Sequence, residues 1–111
     1  MKSGKFIIDK SSNDEFFFKL KSSNGEIILI SELYKSKQGC EAGINSVIEN
    51  SKEEANFDIK TSKDNKRYFV LKADNGEIIG TSETYNSLAN AINGIASVTH
   101  FANNSEICWP I

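Results

Sequence analysis

Proline, histidine and tryptophan each occur once in this 111-residue chain, and cysteine occurs twice. Neither sign of charge dominates, since 13 basic residues against 15 acidic ones leave a net charge of -2. Each shortage excludes a class of function. One histidine and no CxxC pair cannot supply the soft donors of a zinc site, so no metal and no other cofactor is expected. Without a basic excess there is little to collect the phosphates of a duplex. No stretch approaches the roughly 18 apolar residues of a membrane span, and "MKSGKFIIDK" lacks the apolar core and small-residue cleavage site of a secretory signal. The chain is therefore expected in the cytoplasm, where Cys40 and Cys108 would remain free thiols.

What the sequence does contain is a line written twice. "NGEIILISELY" opens at Asn24 and "NGEIIGTSETY" opens at Asn75, an offset of 51 positions. At that offset residues 5–50 align with 56–101 without a gap, at roughly 19 identities, the mark of an internal duplication. The chain is read as one domain, 1–111, made of two repeats over about 5–54 and 56–111. Hydrophobic residues at 39% supply one shared interior but not two separate ones.

Each repeat predicts three strands and a helix. Phe6 and Ile8, like Phe57 and Ile59, recur two apart, the period of a strand with one buried face. "EFFFKLK" and "RYFVLK" alternate in the same way, with Phe18 and Leu20 matched by Phe69 and Leu71. Asn13-Asp14 and Asp64-Asn65 predict hairpin turns. Asn24-Gly25 and Asn75-Gly76 predict two-residue turns of type I′, with positive φ at both centres. Ser36 and Ser87 are placed to cap helices. The helix stripes are Cys40, Gly43, Ile44 and Val47, then Ala91, Gly94, Ile95 and Val98. Glycine inside a helix costs about 1 kcal/mol relative to alanine, so Gly43 and Gly94 predict a close approach of helix to sheet. "SEICWPI" adds a short C-terminal strand carrying Ile107, Trp109 and Ile111, placed at a sheet edge because Pro110 cannot donate to a ladder. The expected fold is α+β: a pseudo-twofold, mainly antiparallel shared sheet with both helices on one face.

The doubled pattern "NGEII..SE.Y.S" followed by "GI.SV" resembles the YegP-like family, small bacterial and archaeal proteins that occur as tandem repeats or as single repeats pairing as dimers. The resemblance covers nearly the whole chain. It implies three strands, a helix and a further strand per unit, with the units sharing a sheet and exchanging terminal strands, so the tail would pair with the first half. It carries no established activity. The second copy departs from the pattern near "THFANN", which leaves the end of the second helix open.

The repeated polar set is Glu32, Tyr34, Glu83 and Tyr85, with Glu26 and Glu77. Paired carboxylates from opposite halves would suit acid and base roles. The competing reading makes Tyr34 and Tyr85 covers for helix ends and Glu26 and Glu77 strand-edge charges beside turns. His100 falls in the last helical turn, where a partial positive charge suits the dipole. Cys40 reads as a small buried hydrophobe and Cys108 as the more accessible thiol. "NGEIIG" lies in a hairpin and so is no phosphate loop. The helix-free sheet face is expected to gather Phe17, Lys19, Lys21, Tyr68, Val70 and Lys72. The leading expectation is a non-enzymatic cytoplasmic monomer that takes a protein or small ligand on that face. Weak single-stranded nucleic-acid binding through the same aromatic and basic residues is the alternative, and an acid-base enzyme using the paired Glu and Tyr residues the third reading.

Overall fold

The computed structural model describes residues 3–108. Along the chain lie β1 (Gly4–Lys10), β2 (Phe16–Lys21), β3 (Ile27–Ser31) and α1 (Lys37–Asn50). A 3-10 turn at Glu54–Asn56 leads into β4 (Phe57–Thr61), β5 (Arg67–Lys72), β6 (Ile78–Thr81), α2 (Leu88–Ala102) and β7 (Ser105–Cys108). All seven strands form one sheet in the order β4-β5-β6-β3-β2-β1-β7. Two antiparallel meanders therefore meet back to back at β6 and β3, as the duplication predicts, and only the β1–β7 pair is parallel. The tail thus returns to the first half, as the resemblance implied. Trp109, Pro110 and Ile111, included in the expected tail strand, lie outside the described residues.

The hairpins differ from the two-residue type I′ turns expected at Asn24-Gly25 and Asn75-Gly76. Positive φ occurs at Gly25 (86°) and Gly76 (87°) but not at either asparagine. Gly25 N donates to Ser22 O at 3.0 Å, and Ser22 N donates to Glu26 O at 2.9 Å, which closes a three-residue loop with its left-handed residue last. Asn24 instead braces the loop through its side-chain oxygen, which accepts from Glu26 N at 3.1 Å, as that of Asn75 does from Glu77 N at 3.0 Å. The β1–β2 and β4–β5 hairpins close in the same way, with Asp14 (64°) and Asn65 (68°) as the left-handed residues.

Both helices start where the serines predict. Ser36 Oγ accepts from Gly39 N at 3.0 Å, and Ser87 Oγ accepts from Asn90 N at 3.1 Å; a cap of this kind contributes about 1 kcal/mol. Cys40, Gly43, Ile44 and Val47 are buried as their spacing requires. In α2, Ala91, Gly94 and Val98 are buried, whereas Ile95 is only half-buried. That helix continues through "THFA" to Ala102, so His100 and Phe101 are helical.

The interior is common to both halves. Phe6, Ile8, Phe18, Leu20, Phe69 and Leu71 are all fully buried, packed in one cluster with Ile44, Val47 and Val98 from the helices. Burial of each large apolar side chain stabilises by about 1.5–3 kcal/mol. Each helix packs on strands of both repeats, α1 on β2, β5 and β6, and α2 on β5 as well as β1, β2 and β3. Both lie on one face of the sheet, since Phe18 and Phe69 sit beneath Gly43 and Gly94.

Candidate functional site

Almost every repeated letter is absorbed by architecture. Ile28 and Ile79 sit at matching bulges, where the register shifts between Leu20 and Lys21 and between Leu71 and Lys72, so two successive residues of each third strand are buried. Ser31 Oγ accepts from Phe18 N at 2.8 Å and donates to Glu32 O, standing in for a backbone group at the strand's end; Ser82 serves Phe69 and Glu83 in the same way. Neither serine was singled out from sequence, although each lies inside the repeated line. The tyrosines do more than cover helix ends. Tyr34 stacks on Phe18 and Tyr85 on Phe69, at centroid distances of 6.3 and 6.1 Å. A Cβ on Gly43 would lie 2.6 Å from Tyr34 Cζ, and one on Gly94 2.6 Å from Tyr85 Cζ. The helix glycines therefore make room for these rings, and the close approach is to a tyrosine as well as to the sheet.

The polar members of the motif line two related grooves between the repeats. In one, of about 860 Å³, the Asn24-Gly25-Glu26 turn faces Glu83, Tyr85 and α2. In the other, of about 760 Å³, the Asn75-Gly76-Glu77 turn faces Glu32, Tyr34 and α1. The duplication thus pairs Glu26 with Glu83 and Glu77 with Glu32, while Glu32 and Glu83 line different grooves. Burial raises the Tyr34 phenol above its ordinary value, with Cys40 and Glu32 adding to the effect, and burial raises Tyr85, with Glu26 and Glu83 adding. Burial likewise pushes the Cys40 thiol up to about 11, and both cysteines are free. His100 meets Phe101 edge to face at 4.7 Å. Among the described residues no group of three or more His, Cys, Asp or Glu side chains could hold a metal ion, and no helix is long and apolar enough to cross a membrane.

On the helix-free face, strand register places Ile7, Lys19, Ile30, Thr81, Val70 and Asp58 in one row across six strands. Phe17, Lys19 and Lys21 share this face with Tyr68, Val70 and Lys72, but β6 and β3 separate the two triples. Three strand spacings put them about 14 Å apart, so the single cluster expected from sequence is two clusters joined by Ile30 and Thr81. Lys19 Nζ lies 5.6 Å from the Phe17 ring centroid. Lys60 and Lys72 each reach Asp58 Oδ2 at 3.4 Å. Lys72, donating to the Asp58 carboxylate, and the nearby Lys60 charge hold that carboxyl below its ordinary value.

A third groove, of about 760 Å³, was not anticipated. It runs beside β4 and is lined by Phe57 and Ile59, by Ile92, Ile95 and Thr99 of α2, and by the segment after α1. Ile92 is the residue sequence reasoning passed over, being 51% exposed one turn from the buried stripe. The signal was present at its aligned position in the first repeat, which holds Glu41.

The family model for a domain of unknown function, DUF1508, matches residues 11–58 and again 62–107. The chain is 52% identical over 95 residues to the UPF0339 protein YegP of Yersinia pestis, covering 86% of this chain and 85% of that protein. It is 53% identical over 105 residues to a UPF0339 protein of Shewanella oneidensis, covering 95% and 96%. The solution NMR structure of yegP from E. coli, a protein of unknown function, superposes with a TM-score of 0.92 at 43% identity, covering 98% of this chain and 94% of that one. A UPF0339 protein structure from Shewanella oneidensis superposes at 0.89 with 48% identity, covering 96% and 91%. The chain belongs to the DUF1508 family, with two copies of the repeat.

Proposed function

We propose that this member of the DUF1508 family is a non-enzymatic interaction module, a cytoplasmic monomer that takes a protein partner or small ligand on the helix-free sheet face. The observation that carries this reading is the row of half-buried Ile7 and Ile30 with buried Val70, flanked by Phe17 and Tyr68, on a face that no described element covers. Apolar and aromatic side chains rimmed by lysines suit a polar-edged contact surface. The motif residues support the reading from the other direction. Tyr34, Tyr85, Ser31 and Ser82 are engaged in packing and strand ends, and the raised tyrosines and the Cys40 thiol are shifted away from neutral pH, where general acids and bases work.

Single-stranded nucleic acid is the second reading, favoured by the Lys19–Phe17 contact. On the β5 side, however, Asp58 engages Lys60 and Lys72. An acid-base enzyme using Glu32 with Glu83 has those carboxylates in separate grooves. The test is affinity capture from lysate by the parent protein and by a Phe17→Ser/Tyr68→Ser variant, with and without nuclease. A partner that survives nuclease and is lost with the variant is the expected result. Capture abolished by nuclease points to nucleic acid, and capture indifferent to the variant overturns the assignment of the face.

A further inference from the structure

The two repeats end their sheet differently. Beside β1 the sheet is finished by β7, in parallel register Lys5↔Glu106, Phe6↔Ile107 and Ile7↔Cys108. Beside β4, the strand equivalent to β1, no described strand follows. The reason is chain length: β7 follows α2 and crosses to β1, whereas the segment aligned with β7, residues 54–57, makes the 3-10 turn and becomes the start of β4. Side-chain burial records the difference. Phe6, Ile8 and Ile44 are fully buried, while their counterparts Phe57, Ile59 and Ile95 are only half-buried. Phe101, beside the start of β1, corresponds to Asn50 in the other half. The groove along Phe57, Ile59 and Ile92 is the space that a strand in β7's position would close.

We infer that the β4 edge and its groove form a docking site for an extended segment of a partner protein, added parallel to β4 as β7 is added to β1. This internal template sets the occupant's direction and register, and the apolar lining of the groove sets its side chains. On the helix side β7 presents Ile107 level with Phe6, and on the helix-free side it presents Glu106 level with Lys5. A segment on β4 carries aliphatic side chains two residues apart, level with Phe57 and Ile59. On its other face it carries an acidic residue level with Lys60, because Lys60 and Lys72 outnumber Asp58 there. A second copy of this chain would add its β4 antiparallel by twofold symmetry, whereas the strand that β7 models is parallel. The inference rests on the reading of the chain as an interaction module but centres the contact on the β4 edge and its groove, which share only the Lys72 end of the helix-free face.

The probe is a capped peptide, Gly-Ser-Ile-Thr-Ile-Glu-Gly, titrated into the isotope-labelled full chain up to about 1 mM, a range that detects weak strand addition. Amide shifts and slowed exchange confined to residues 57–61, with shifts at Ile92 and Ile95, are expected. Ile92→Glu, an exposed substitution that leaves the interior intact, should weaken binding by about ten-fold. Phe17→Ser, on β2 four strands from β4, should leave binding unchanged, so failure of the sheet-face reading and failure of this one remain separable. Absence of shifts, shifts centred on Phe17 and Ile30 instead of β4, indifference to Ile92→Glu, or concentration-dependent shifts of residues 57–61 without peptide, the mark of a second copy, would each overturn it.

Discussion

The first and second repeats follow one plan, yet only the first is finished. Where the sheet continues past β1, the neighbouring side chains are sealed; where it stops at β4, the same positions stay partly wet. The sequence adapts to the difference at single positions. Ile7 lies in a strand with neighbours on both sides, and its counterpart at the edge is Asp58. An aspartate and a lysine on an edge strand discourage another sheet from adding to it indiscriminately. Position in the sheet, rather than place in the repeat, decides which residue a copy can carry.

The sharpest break in this comparison is a matched pair of truncations. Phe6→Ala removes a fully buried ring and should cost about 3–5 kcal/mol. Phe57→Ala removes one that already touches water, and should cost about half as much because less apolar surface leaves the interior. Chemical denaturation of both variants reads the difference in midpoint at constant slope. Equal losses would show that the β4 side is as closed in solution as the β1 side.

A second test concerns the line where the copies meet. Leu29 and Gly80 occupy the same place in the two repeats but lie together where β3 and β6 join. A Cβ on Gly80 would come within 2.9 Å of Leu29 Cγ and 3.1 Å of Ile30 O. Two leucines cannot share this place, so one copy surrenders its side chain and the other fills the space. Gly80→Leu should therefore destabilise by about 1–3 kcal/mol through overpacking. The exchange Leu29→Gly/Gly80→Leu should recover much of that loss, with a double-mutant cycle giving a coupling of about 1 kcal/mol or more. Simple additivity would mean that the two positions do not trade volume.

The plan of each repeat was legible because it rests on local periodicity: strand alternation, serine caps and the helical stripe each act within a few residues. The turns were half legible. Gly25 and Gly76 reveal a left-handed position, but loop length depends on the Ser22 and Ala73 hydrogen bonds around it, so the asparagines bond through their side chains rather than adopt positive φ. The offset between the Phe17 and Tyr68 clusters was not legible, because strand order depends on how the halves join. Glu32 and Glu83 fell into different grooves for the same reason. Glu32 and Tyr34 face the second copy's turn, and Glu83 and Tyr85 the first's, a relation that alignment along the chain does not express.

The smallest expected effect follows from the charge that marks the open edge. Lys72, donating to Asp58, and the Lys60 charge hold its carboxyl below the ordinary value of 3.8. A folded-state pKa below the unfolded one contributes stability that is present above the unfolded value and is lost as pH falls through the folded one. Asp58 is well solvated, so the contribution is modest and screened by salt. Asp58→Asn should flatten the acid side of the stability curve below about pH 4 and leave neutral pH nearly unchanged. A carboxyl-resolved NMR titration should place Asp58 below the ordinary aspartate value at low salt and move it upward as salt is added. Asp58→Ile, which copies the first repeat, removes the same titration and also puts an apolar side chain on the helix-free side of the edge. Concentration-dependent association of that variant, measured by sedimentation, would separate the electrostatic role of Asp58 from its role in keeping the unfinished edge free of other copies.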